Sequence, residues 1–160
     1  MMEARARGYT LIELLVSVAI IGLLATVVLP MTELAVQRNK ERDLHQALRE
    51  IRAGLDAYKQ AVDEGRVVQS VVKSGYPATL KVLVDGEPDA GSPDGKARIY
   101  FLRRIPRDPM NTDPDIPDEA TWGKRSYESP ADAPAEGEDV FDVYSMSAGI
   151  GLNGVPYRNW

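Results

Sequence analysis

RGYTLIELLVSVAIIGLLATVVLP, residues 7–30, is the stretch on which the reading of this chain turns. From Leu11 to Leu29 it runs 19 residues with a single charge, Glu13. As a helix that run is roughly 28 Å long, close to the ~30 Å apolar core of a bilayer. Such a segment partitions into lipid. Before it stands MMEARARG, residues 1–8, short and polar with Arg5 and Arg7. Cations on that side predict a cytoplasmic N-terminus and a body on the far side of the membrane. Glu13 is out of place in such surroundings, because a carboxylate costs roughly 2.5–3.5 kcal/mol at mid-bilayer and less near the interface. One compensation is local: Thr10 and Glu13 have the S/T-x-x-E spacing of a capping box. A plain signal-anchor helix also accounts for arginines followed by hydrocarbon. A cleavable secretory signal fits less well, since no A-x-A site follows the run and a cut there would sever a helical pattern.

The helical pattern continues past the apolar run. Leu44, Leu48, Ile51, Leu55, Tyr58 and Val62 recur at steps of four and three, the stripe of an amphipathic helix. Charged residues such as Glu41, Arg42, Asp43, Arg49, Glu50, Arg52 and Asp56 lie between them. Gly65 is the natural stop. The pattern predicts one helix from Thr10 to about Glu64, apolar all round in its first half and on one side in its second. Beyond it the texture is turn-rich, with nine of the eleven prolines between Pro77 and Pro134. Val67 to Val72 has no clear assignment. A short helix is expected over 77–84, a loop over 85–96, strands over 124–128 and 140–145, and a last short strand near 155–160. The fold class is therefore α+β: a long N-terminal helix packed on a small antiparallel sheet.

Composition narrows the function. The 160 residues suit one domain, with 44% apolar and 27% charged. No cysteine is present, so an exported domain must rely on packing, assembly or an ion in place of disulfides. The formal net charge is −5, and the first eight residues carry +1, leaving −6 on the remainder. That balance argues against nucleic acid and against an anionic membrane surface as partners of the body. Enzyme chemistry finds no purchase either: no phosphate loop, nucleophile elbow or His/Cys cluster occurs, and the one histidine, His45, falls among charged helix positions. Asp113 and Asp115, and Glu136, Glu138 and Asp139, read as solvated loop carboxylates.

Arg7-Gly8, Tyr9, Glu13 and Pro30 together resemble the N-terminal signature of type IV pilins and type II secretion pseudopilins. That signature has a basic leader ending in glycine, an aromatic first mature residue, glutamate at the fifth mature position and a proline near the twenty-second. Tyr9 departs mildly from the usual phenylalanine. The resemblance implies a pilin fold with a leader at 1–8, a membrane and assembly helix at 9–30 and a periplasmic pilin-like domain at 31–160. It implies cleavage between Gly8 and Tyr9 by a prepilin peptidase, N-methylation of Tyr9, and pairing of Glu13 with the Tyr9 amine of a neighbouring subunit. Gly22 and Pro30 then mark where the helix would kink or unwind during assembly, although Pro30 also fits a static kink. The implied partners are copies of itself, minor pseudopilins, the peptidase, an inner-membrane assembly platform and lipid. Adhesion, motility or DNA uptake by a type IV pilus, and a tethered periplasmic binding domain that never assembles, are the competing readings.

Four further blocks, Gly75–Leu80, Leu102–Pro109, Trp122–Tyr127 and Phe141–Ser145, resemble landmarks of the major (G-type) pseudopilins, more loosely than the N-terminus does. Trp122, Tyr127, Phe141 and Tyr144 are expected in the core. G-type pseudopilins usually bind calcium in an aspartate-rich loop after the last long strand. Here that stretch reads SMSAGIGLNG, residues 145–154, without a carboxylate. Ser147, Asn153 and Asp142 are the weak candidate ligands, and no calcium site or other cofactor is expected. The loop is expected to close by packing of Leu152, Val155 and Trp160.

Overall fold

Thr10 starts the first helix and Gly65 ends it. The computed structural model describes residues 10–68, 74–93 and 95–160. Helix α1 (Leu11–Asp63) carries its helical assignment through Pro30 without interruption. At its end Gly65 takes φ +72°, the Gly65 N–H donates to Val62 O at 2.9 Å and the Arg66 N–H to Ala61 O at 2.8 Å. Those two bonds form a Schellman motif, which only a residue free to adopt positive φ closes cheaply. The chain divides into two units, Met1–Asn39 and Lys40–Trp160.

In the first unit the apolar stretch is exposed among the described residues. Leu11 is 79% and Leu23 72% exposed, and none of the most apolar window is buried. The hydroxyls within it are satisfied by the helix: Ser17 donates to Glu13 O at 2.7 Å and Thr26 to Leu23 O at 2.7 Å. Lipid tolerates a hydroxyl only when it is bonded in this way.

The second unit is built on the striped half of α1. Leu44, Leu48, Ile51 and Leu55 are at most 1% exposed, and Tyr58 and Ala61 are buried beside them. Each large apolar side chain so buried contributes roughly 1.5–3 kcal/mol. Against this face pack Leu80 and Leu83 of the α2 region, Leu102, Trp122, Val140, Val143 and Tyr157. Helix α2 (Lys81–Asp85) is short; Leu83 O accepts the N–H groups of Phe101 and Leu102 at 3.0 and 2.9 Å. Strand β1 (Glu87–Pro88) pairs antiparallel with β2 (Arg98–Ile99), and β3 (Trp122–Arg125) pairs antiparallel with β4 (Asp142–Ser145). The α+β pilin fold is thus present as a long helix with two small antiparallel sheets.

Several boundaries differ from the sequence expectation. The helix expected over 77–84 forms only at Lys81–Asp85, and the loop expected over 85–96 contains β1, whose partner strand lies eleven residues away. Strand β3 begins at Trp122 and stops at Arg125, because beyond it the Ser126 N–H donates to Ala135 O and the Tyr127 N–H to Asp139 Oδ1. Those bonds turn the chain into the acidic loop and leave Tyr127 59% exposed, not in the core. Phe141 and Tyr144 are half-buried; among the four aromatics only Trp122 is fully enclosed, its Nε1 donating to Pro106 O at 2.7 Å. The strand expected over 155–160 is a single bridge, Ile150 to Pro156, followed by a 3-10 turn at Tyr157–Asn159. Pro156 has no N–H to extend a ladder. Of the unassigned stretch over 67–72, Val67 is buried, Val68 is exposed, and the rest lies outside the described residues. At the helix end, Arg66 Nη2 meets Asp89 Oδ2 at 2.7 Å, and this hydrogen bond holds the Asp89 carboxyl below its usual range.

Gly54 marks the closest approach to α1. A Cβ built there would stand 2.9 Å from Leu102 Cγ and 3.1 Å from its Cδ2. Elsewhere in a helix, Gly→Ala gains about 1 kcal/mol. Here the overlap, at about 1–3 kcal/mol, outweighs that gain. Gly54→Ala should therefore lower the thermal midpoint of the full chain in detergent, and an unchanged or raised midpoint would show that Leu102 yields freely.

Candidate assembly site and C-terminal loop

Glu13 lies in the first turn of α1. Its N–H donates to Thr10 Oγ1 at 3.3 Å, and the Thr10 N–H donates to Glu13 Oε2 at 3.4 Å. This is the capping box that the spacing allows, in which two donors left over by helix geometry are satisfied reciprocally. Both bonds are long and exposed, and the one that reaches the carboxylate, from the Thr10 N–H, holds it lightly. Gly8, Tyr9 and the leader at 1–8 lie outside the described residues. Apart from its neighbours and the helix's own backbone, no described residue has an atom within 4 Å of where a side chain at Gly22 would begin. Along one helix Gly22 and Pro30 stand roughly 14 and 26 Å from Glu13. These residues are spaced along one helix axis. They do not converge on a pocket.

The three weak calcium candidates are engaged elsewhere. Ser147 Oγ accepts the Gly149 N–H at 3.2 Å, and Asn153 Oδ1 accepts the Val155 N–H at 3.0 Å. Asp142 receives Arg52 Nε at 2.8 Å on Oδ1 and Arg125 Nη2 at 3.3 Å on Oδ2. Among the described residues no group of three or more His, Cys, Asp or Glu side chains is placed to hold a metal.

Two of the charged residues that lie beside the apolar stripe of α1 hold the C-terminal segment. Glu41 Oε1 accepts the Leu152 N–H at 2.8 Å and the Tyr157 hydroxyl at 2.9 Å. Arg52 donates to Asp142, to Val143 O at 3.2 Å and to Trp160 O at 2.8 Å, which joins α1, β4 and the last residue. Between them His45 stacks on Trp160, with centroids 4.2 Å apart and planes 13° off parallel. Positions 41, 45 and 52 are spaced by four and seven, so they line one edge of the apolar stripe. That spacing was the available signal. Leu152 and Val155, expected to close the loop by packing, remain 42% and 38% exposed; Tyr157 and Trp160 make the apolar contact, edge to face at 5.0 Å.

A second polar knot fastens the RDP block. Asp108 is 1% exposed, yet its carboxylate accepts the Ser145 hydroxyl at 2.6 Å and the Met110 N–H at 2.8 Å. A buried carboxylate is tolerated only when its oxygens are so occupied. Next to it the Arg107 guanidinium donates to Ile116 O at 2.6 Å, to Asp113 O, and to Asp118 Oδ1 at 3.3 Å. The acidic loop over 111–118 is organised by this internal cation.

Comparison with known proteins follows the same division. A family model described as the prokaryotic N-terminal methylation motif matches residues 4–29. Over the longer chain, the type II secretion system core protein G of Pectobacterium carotovorum subsp. carotovorum is 33% identical over 127 residues, covering 75% of this chain and 72% of the relative. The core protein G of Klebsiella pneumoniae is 34% identical over 116 residues, covering 68% and 72%. That of Pseudomonas aeruginosa is 27% identical over 168 aligned positions, covering 100% and 99%. No solved structure matches this chain.

Arg52 carries more of this geometry than any other helix cation. Arg52→Ala should cost about 1–2 kcal/mol in chemical denaturation of the detergent-solubilised chain, since Arg125 still neutralises Asp142 and the site is partly exposed. Arg52→Lys should recover little, because a point charge cannot reach three acceptors as a fork does. Full recovery by lysine would reduce the role of Arg52 to charge alone.

Proposed function

The chain belongs to the type II secretion system core protein G family, the major pseudopilins, and on that premise we propose that it is cut after Gly8 and polymerised through its N-terminal helix into a pseudopilus that helps export folded proteins. As a pseudopilin it is a structural subunit, and its assembly involves other components of the secretion machine. In the proposed cycle the leader is removed by a prepilin peptidase while the body stands in the periplasm and the apolar helix lies in the inner membrane. The same enzyme methylates the new amine of Tyr9. An assembly platform then lifts the subunit from lipid into a helical bundle, and minor pseudopilins accompany the filament.

The observation that carries this reading is the single carboxylate within an apolar helix stretch that is exposed among the described residues. Leaving lipid for a bundle, the uncovered side chains of Leu11 to Thr26 find one another, and Ser17, Ala19, Gly22 and Ala25 admit close backbone approach. Glu13 then needs a partner. An unpaired charge in apolar surroundings costs about 3–5 kcal/mol when its counter-ion is removed. The ammonium of Tyr9 from a neighbour satisfies it, and the long bonds to Thr10 are readily exchanged for that contact. Register is thus selected by the penalty for mispairing.

The capping box favours a second role for the same residue, in which Glu13 only starts the helix. Three variants separate the two. Glu13→Gln keeps an acceptor for Thr10 but removes the charge, Glu13→Ala removes both, and Thr10→Ala removes the cap while keeping the charge. On the charge-pairing reading, mass spectrometry finds a methylated Tyr9 start in all three. Sheared filaments then fall by about tenfold or more in both Glu13 variants and stay near wild type in Thr10→Ala. Filament loss in Thr10→Ala with normal filaments in Glu13→Gln would assign Glu13 to capping. An intact Met1 start in wild-type cells would replace the polymer with a simple tether.

A further inference from the structure

The loop after β4 is where this chain parts from the G-type pattern. A calcium ion takes six to eight oxygens, with carboxylates among them. From Ser145 to Trp160 the chain has no aspartate or glutamate. The Ser147 and Asn153 oxygens close turns of their own, and Asp142 is shared by two arginines. The neighbouring acidic loop is no substitute, because the Arg107 guanidinium already sits among its oxygens and would repel a dication. The donor set does not fit calcium.

What the loop has is a carboxylate from the opposite direction. Glu41 reaches it from α1 and accepts both a backbone N–H, from Leu152, and a side-chain hydroxyl, from Tyr157. Leu152 lies within the turn that the Ile150–Pro156 bridge and the Gly151–Val155 and Gly154–Gly151 bonds close, and Tyr157 directly follows it. Just beyond, Trp160 is held on one face by His45, at its edge by Tyr157 and at its backbone by Arg52. Every one of these anchors is on the striped half of α1 or within the loop itself. A dication would draw loop oxygens together around a point; here one helix carboxylate collects loop donors instead. We propose that Glu41, and not a divalent cation, closes the C-terminal loop of this chain, so that the head folds and stays protected without calcium.

The proposal can be tested on the full chain in detergent micelles with calcium chloride as the probe. A dication bound by the native state raises its stability by mass action. Wild type is therefore expected to keep the same thermal midpoint, within about 1 °C, in excess EGTA and in millimolar calcium. Calcium titration should release no saturable heat, and limited proteolysis in EGTA should spare the loop. Glu41→Ala should lower the midpoint by about 3 °C or more and expose bonds near residues 146–156 to protease, with no rescue by calcium. Glu41→Gln, which keeps one acceptor oxygen, should fall between. A midpoint that drops in EGTA, saturable calcium binding, or calcium rescue of either variant overturns the proposal, as does a Glu41→Ala chain whose loop stays protected. Should Glu41→Ala not fold, the wild-type EGTA arm and Glu41→Gln decide the matter, and neither readout depends on whether filaments form.

Discussion

A run of hydrocarbon that no other described residue covers governs this molecule. From Leu11 to Thr26 every side chain is exposed, and the same α1 assignment continues into the best-buried positions of the structure. One helix therefore serves two solvents. Its first half has no polar face, so only apolar surroundings can bury it. Its second half has a stripe roughly one side wide, which is what a small head needs for a core. The backbone is indifferent to the change, because a helix satisfies its own N–H and C=O groups in either medium.

The head is small, and its sheets are minimal: two pairs of strands with two and four residues each. Sheets of that size do not stand alone in water. The stripe on α1 supplies the missing cover, with Leu44, Leu48, Ile51 and Leu55 at the centre of a cluster reaching Trp122, Val143 and Tyr157. Polar contacts then fix what packing leaves loose. Asp108 ties the RDP block to Ser145, Asp142 ties β3 and β4 to Arg52, and Glu41 ties the last loop to the helix. Each joins segments far apart in sequence. That division suits a chain without disulfides.

Legibility followed the range of the interactions. The end of α1 at Gly65 was readable because one positive-φ residue and two neighbouring carbonyls decide it locally. The stripe was readable because periodicity needs no partner. Strand β1 was not, since Glu87 and Pro88 become a strand only through Ile99 and Arg98. Tyr127 looked like a core aromatic by type, yet its backbone is turned outward by Asp139, twelve residues on. Of the assembly site, Thr10, Glu13, Gly22 and Pro30 were visible as a pattern. The roles of Glu41, His45 and Arg52 were not, because their partners belong to the C-terminal loop and β4.

That contrast bears on how the two ends of the chain can vary. The N-terminal signature is a local code, carried by residues close together in sequence. Such a code is recognisable in a short stretch, as the match over residues 4–29 shows. The C-terminal loop answers only to the need to be closed. A dication and a helix carboxylate can each meet that need, with different residues. In this chain one anchored helix carboxylate collects the donors of the last loop, from the Leu152 backbone and the Tyr157 hydroxyl.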